Sequence, residues 1–264
     1  MEKLLSIDLK ADFGMLKKPD TNEPVYLTFN MLHKPALLGI LGAIVGFSGF
    51  KKHGIFPEYM ERLKDLKVGI SPLETEKKKF HENGNFSKTI IQYNNSTGLA
   101  SDEAGGNLIV TEQTLVSPAY RCYVLLDDSK KDHNKLLNNL YSYKAEFLPY
   151  LGKNEFSIWW EDTKESQYNL YKPDKSFRIE SLFVKSDSLK KNTQEVWFDF
   201  DMEEPKENNF IYLENLPIGY LGKPLFQYDY KEFAFTNFKL NKDFMLLKKY
   251  PLYKLDNNEI IQLF

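Results

Sequence analysis

At 264 residues, with 42% hydrophobic and 27% charged side chains, the chain is long enough for one large or two small domains and has the composition of a folded protein. A net charge of −2 excludes whole-molecule attraction for nucleic acid, so any such site has to be local. The single cysteine, Cys122, excludes internal disulfides and cysteine-based zinc sites and fits a reducing compartment, while 15% aromatics suit a β-rich core, the better default, or flat surfaces for stacking.

Met1–Lys10 alternates like a strand and has no signal-peptide pattern, with Leu4–Leu9 as the first strand. Residues 11–22 form a loop carrying Lys17 and Lys18. Val25–Phe29 is strand-like, with β-branched and aromatic residues at alternate positions. A polar corner follows with Asn30, His33 and Lys34, and then Pro35, suited to the first position of a helix. Ala36–Phe50 carries no charge and is shorter than the roughly 18 residues needed to span a bilayer. No membrane contact and a cytoplasmic location are therefore expected. Gly39, Gly42 and Gly46 fall three and four apart and would share one helical face. Each costs about 1 kcal/mol relative to alanine, so a sheet or a ligand backbone should come close there. The helix start would offer free N–H groups to an anion.

Residues 56–66 predict a second helix and Lys67–Ile70 a strand. Lys77, Lys78 and Lys79 then precede a strand-like run, Phe86–Tyr93, a polar tip at residues 94–107, and a strand over Thr114–Leu126. This reads as a protruding hairpin arm over about residues 71–118, its lysine-rich flank suited to a nucleic-acid or partner contact. Asp132–Tyr143 predicts a helix with Asp132 as N-cap and Leu136, Leu137, Leu140 and Tyr141 on one face. A glycine turn, Tyr150–Asn154, leads into a strand over Glu155–Trp160. The order suits an α+β fold with a ferredoxin-like (RRM-like) core over residues 1–166, carrying the inserted arm. Beyond Gln167 short strand patterns at 177–184, 195–202, 209–213, 230–238 and 260–264 predict a β-rich C-terminal subdomain, 167–264.

Catalytic signals are sparse. There is no HExxH, EF-hand, Walker or GxSxG pattern, and His33, His53, His81 and His133 are scattered. Asp199 and Asp201, with Glu203 and Glu204 nearby, read as an exposed strand face rather than a metal site. No cofactor is expected. RNA cleavage would need a base near a 2′-hydroxyl, a role His33, His53 or His81 could fill. Three polar clusters remain: Lys17 and Lys18 with Asn30, His33 and Lys34; Lys77, Lys78 and Lys79 with Lys88; and Tyr120 and Arg121 with Gly152, Lys153 and Asn154. The first and third should converge into a phosphate groove, with Tyr120 free to stack on a base.

The stretch FGMLKKPDTNEPVYLTFNMLHKPALLGILGAIVGF resembles the N-terminal signature of the Cas-five family of CRISPR-associated subunits, in the RAMP superfamily. Leu115–Arg121 and Pro149–Phe156 resemble two further family segments in the same order, the latter being its glycine-containing turn. Many relatives have arginine after the first-loop Phe, whereas here Met15 and Leu16 precede Lys17. The helix ALLGILGAIVG looks most like the type I-B branch. The resemblance implies a non-catalytic Cascade subunit that caps the crRNA 5′ handle. Its implied partners are the Cas-seven backbone, the large Cas-eight-type subunit and, indirectly, target DNA. The alternative is a metal-independent endoribonuclease acting on pre-crRNA.

Overall fold

The computed structural model describes residues 1–19, 24–52, 54–73, 82–95, 108–185, 209–222, 225–242 and 249–264. Expectations placed on His53, Lys77, Lys78, Lys79, His81, most of the arm tip and Asp199 to Glu204 lie outside these residues.

In chain order the elements are β1 (Glu2–Ala11), β2 (Phe13–Gly14), β3 (Val25–Tyr26), α1 (Lys34–Val45), α2 (Glu58–Leu63), β4 (Lys67–Pro72), β5 (Lys88–Asn95), β6 (Leu108–Val116), β7 (Ala119–Asp127), α3 (Lys131–Tyr141), β8 (Ile158–Ser166), β9 (Tyr168–Tyr171), β10 (Phe183–Val184), β11 (Ile211–Tyr220), β12 (Tyr228–Thr236), β13 (Leu252–Leu255) and β14 (Ile260–Gln262). This is an α+β molecule built on an antiparallel sheet in the order β4-β7-β1-β8.

Strand alternation sorts that sheet's two faces. Leu5, Ile7 and Leu9 of β1 join Cys122, Val124 and Leu126 of β7 beneath the helices, packed on Leu37, Leu41 and Ile44 of α1 and Leu136 and Leu140 of α3. Leu4, Tyr123 and Leu125 face the other way, onto Tyr253, Leu255, Ile261 and Leu263 near the end of the chain. The late strands also cover the β4 edge. Val68 and Phe264 exchange backbone hydrogen bonds of 3.1 and 2.9 Å, and Leu182 N–H donates to Ile70 O at 2.7 Å. An edge that would otherwise expose free backbone groups is thereby occupied.

Two features of the second sheet differ from the sequence expectation. Val25–Phe29 is not a strand of the main sheet: Val25 and Tyr26 pair in parallel with Thr111 and Glu112 of β6, and Thr28 bridges Lys17. The run Thr114–Leu126 is not one strand either. It breaks at Ser117, with φ of +50°, and Pro118, which lacks the N–H a continuous ladder needs. As a result β6 stays with β2, β3 and β5 in the arm sheet while β7 enters the main one. The arm is the β5–β6 ladder, Lys88 opposite Leu115 through Asn95 opposite Leu108.

The glycine helix is shorter than its uncharged run. It ends at Val45 because Gly46 adopts φ of +98°, a left-handed C-cap, and its N–H donates to Gly42 O at 2.8 Å. Gly46 thus lies past the helix, beside Glu146. Gly39 and Gly42 face α2 rather than the sheet: a Cβ on Gly42 would stand 2.4 Å from Tyr59 Cβ. In α3 the N-cap is Lys130, and Asp132 sits in the first turn, where it accepts from Arg62 Nε at 2.8 Å.

Candidate nucleic-acid interface

The polar corner at the start of α1 folds inward. Asn30, His33 and Lys34 are all buried. Asn30 uses each of its polar groups internally. Its Oδ1 accepts from Phe86 N–H at 3.0 Å and Lys88 Nζ at 2.7 Å, and its Nδ2 donates to Gly84 O at 2.5 Å. Its backbone N–H donates to Glu214 Oε1 at 3.0 Å, and its carbonyl accepts from Tyr120 Oη at 2.8 Å. One side chain and its peptide groups therefore tie the arm root, β7 and β11 together. Glu214 completes the joint by accepting from Met31 N–H at 3.0 Å and Tyr212 Oη at 2.5 Å.

His33 is the N-cap of α1. Its Nδ1 accepts from Ala36 N–H at 3.3 Å, its carbonyl accepts from Leu37 N–H at 3.0 Å, and Pro35 has no N–H. The expected anion site at this helix start is closed by the protein's own groups. Desolvation pushes the imidazole down to about 3, so the ring is neutral at physiological pH. Lys34 turns back to donate to Phe264 O at 3.2 Å, and burial lowers its ammonium to about 8.

The remaining predicted contacts divide in two. Tyr120 is buried and cannot stack on a base, and burial drives its phenol well above the ordinary value. Arg121 grips Asp8, directly opposite in the ladder, through 2.8 and 2.9 Å hydrogen bonds that raise its already high pKa. Lys153 reaches Glu112 Oε2 at 2.6 Å and lies 4.2 Å from the centre of the Tyr93 ring, clamping the glycine turn to the arm. Its partial desolvation is outweighed by that carboxylate, so its pKa rises. Lys18 lies 3.7 Å from Glu214 and over Phe29. Lys17, Gly152 and Asn154 are exposed, with the Lys17 ammonium 3.4 Å from the centre of the Tyr26 ring.

The first and third clusters do meet, through backbone. Met15 N–H donates to Leu151 O at 3.1 Å. Gly152 sits at φ of +85° with the position of a Cβ only 1.8 Å from Met15 O, so no other residue fits this approach. Beside this junction lies a cleft of about 670 Å³ that sequence reasoning missed. It is bounded by α1, the Met15–Lys17 loop, the Phe147–Gly152 loop and Tyr59, Tyr220 and Tyr228. Its one legible signal was the apolar run Phe147-Leu148-Pro149-Tyr150, which belongs to neither a helix nor a strand.

No family model and no curated protein sequence matches the chain. Solved structures do. A chain in the cryo-EM structure of the type III-B Cmr-beta bound to cognate target RNA and AMPPnP aligns with a TM-score of 0.52 at 8% identity, covering 90% of this chain and 86% of that one. At that identity the likeness shows a shared fold. A CRISPR protein from Archaeoglobus fulgidus aligns at a TM-score of 0.48 and 12% identity over 100% and 98% of the two chains. A chain of a CRISPR RNA-guided surveillance complex gives 0.45 and 12% over 92% of each. Among the described residues no His, Cys, Asp and Glu group could hold a metal ion, and no helix is long and apolar enough to cross a membrane.

Proposed function

We propose that the chain is a non-catalytic RNA-binding subunit of a CRISPR ribonucleoprotein, of the Cas-five kind and type I-B-like, seated on the crRNA 5′ handle. It would link the Cas-seven backbone to a large Cas-eight-type subunit, and its antiparallel sheet with α1 and α3 would be the ferredoxin-like core. The observation that carries this reading is the convergence of the three motif segments. The first loop, the Leu115–Arg121 segment and the glycine turn are joined by Met15–Leu151, Phe13–Val116 pairing and the Tyr120–Asn30 hydrogen bond. Exposed Lys17 stands at that junction. Against the endoribonuclease alternative, His33 is held neutral to about pH 3 and its Nδ1 is taken, which makes it a poor base at neutral pH.

Binding of RNA with a repeat-derived 5′ tag should weaken as salt rises, and Lys17→Ala should weaken it uniformly across sequences. Absence of binding at low salt refutes the proposal. Metal-independent cutting of repeat RNA at one site by purified protein would favour the nuclease instead.

A further inference from the structure

The cleft beside α1 is lined partly by residues that also pack into the core, such as Leu16, Ile40 and Leu151, and partly by side chains left on its rim. Its volume, about 670 Å³, falls in the range of small-molecule sites. Among its described lining residues there is no carboxylate, and Lys17 supplies the one full charge. The rim is aromatic and open to solvent, with Phe50, Phe147 and Tyr150 at 63%, 54% and 44% exposure. His33 belongs to the wall at only 5% exposure. Because its Nδ1 accepts from Ala36 N–H, the proton of the neutral ring sits on Nε2. No described residue accepts that Nε2–H. The cleft thus combines largely aromatic and aliphatic walls edged by tyrosine hydroxyls, an unanswered neutral donor within and a cation at one wall.

An apolar protein side chain would leave the His33 donor unsatisfied and Lys17 without a counter-charge. A nucleobase answers all three features: it is flat, its edge carries carbonyl or ring-nitrogen acceptors, and a phosphate comes attached. We propose that the cleft receives one unstacked base of a bound single-stranded RNA, with His33 Nε2–H donating to the base edge and Lys17 holding the adjoining phosphate. This rests on the RNA-binding reading above. Gly39 keeps the site open. A Cβ there would stand 3.7 Å from the Tyr59 ring, so alanine fits, while a longer side chain would occupy the cleft.

The test uses the full chain and a series of single-stranded RNAs, each with a fluorescent purine analogue at one position. One position should change its emission on binding apart from its neighbours. Gly39→Leu should abolish that signal and weaken affinity about tenfold or more, whereas Gly39→Ala keeps both. His33→Asn preserves the helix cap, so it should weaken binding to the natural base at that position but not to an abasic nucleotide there. Unchanged affinity in Gly39→Leu, with no position distinguished, overturns the base site and leaves RNA binding itself standing. It would turn the cleft over to an apolar protein anchor. Failure of the unmodified protein to bind RNA at low salt would remove both readings together.

Discussion

Replacing Asn30 with alanine separates a ligand-facing corner from a structural joint. The substitution strips two partners from groups that water cannot reach: Phe86 N–H loses Asn30 Oδ1, and Gly84 O loses Asn30 Nδ2. Phe86 is 2% exposed and Gly84 is buried. An unsatisfied buried donor or acceptor costs about 1–3 kcal/mol, so the pair amounts to about 2–6 kcal/mol. Lys88 also loses a hydrogen bond, but it retains Phe86 O at 3.1 Å and Asn85 Oδ1 at 3.4 Å, so its share is small. Against a total stability of about 5–15 kcal/mol, the change is large. Urea unfolding followed by tryptophan fluorescence and by far-ultraviolet circular dichroism measures it, with Lys88→Ala as a control that shifts the midpoint little. The arm root should lose amide-exchange protection first, because Gly84 O and Phe86 N–H are both hydrogen-bonded to this side chain. If Asn30→Ala unfolds within about 0.5 kcal/mol of the parent, the range of ordinary surface substitutions, and instead loses RNA affinity, the joint is refuted and the corner faces the ligand.

Gly152→Ala forces a Cβ into Met15 O at a backbone angle only glycine adopts readily, so it should cost about 3 kcal/mol or more through strain and overpacking. Unchanged exchange of the Leu151 and Met15 amides in that variant would contradict the packing. His33 gives a pH signature: the unfolded chain takes up a proton below its ordinary value of 6.5, which the folded chain refuses until about 3. Its contribution is therefore complete above pH 6.5 and lost as pH falls through that window. His33→Asn should flatten the acid side of the stability profile by close to one proton, and parallel profiles for the two proteins would sink this reading. Cys122 is fully buried with its thiol pushed up by desolvation, so a thiol reagent should label it only at the rate of opening. Fast labelling of the native protein would contradict its place in the core.

Local periodicity made the helices and the first strand readable. β1 declares itself by Leu4, Leu5, Ile7 and Leu9, and α3 by Leu136, Leu137 and Leu140, because each pattern is set by what one element needs from its own neighbours. The glycine turn was readable for the same reason. What failed was the direction in which polar residues point. Asn30 looks like a surface corner until Glu214, 184 positions later, arrives to accept its N–H. Tyr120 looks available for stacking until its hydroxyl finds Asn30 O across 90 positions. Apart from the run Phe147–Tyr150 the cleft is hidden for a like reason, since Tyr59, Tyr220 and Tyr228 come from distant segments. The break at Ser117 and Pro118 could have been read, since a proline inside a strand pattern argues against continuity.

The fate of the basic residues bears on how the proposed RNA site would work in a chain of net charge −2. Arg121 is spent on Asp8, Lys153 on Glu112, and Lys34 on a backbone carbonyl. Each of these bonds fixes one element against another: β7 to β1, the glycine turn to β6, and α1 to the segment after β14. Of these elements α1 and the glycine turn line the cleft, so the cations that fix them contribute position rather than field. A ligand meeting such a site finds loops already ordered and loses little entropy in closing them. Its affinity would then come more from base contacts inside the cleft than from phosphate charges outside it. The salt dependence of binding should accordingly be shallow, close to the slope of one or two phosphate contacts for a single strand. A steep dependence would mean that cations beyond Lys17 dominate, and would move the RNA path away from the cleft.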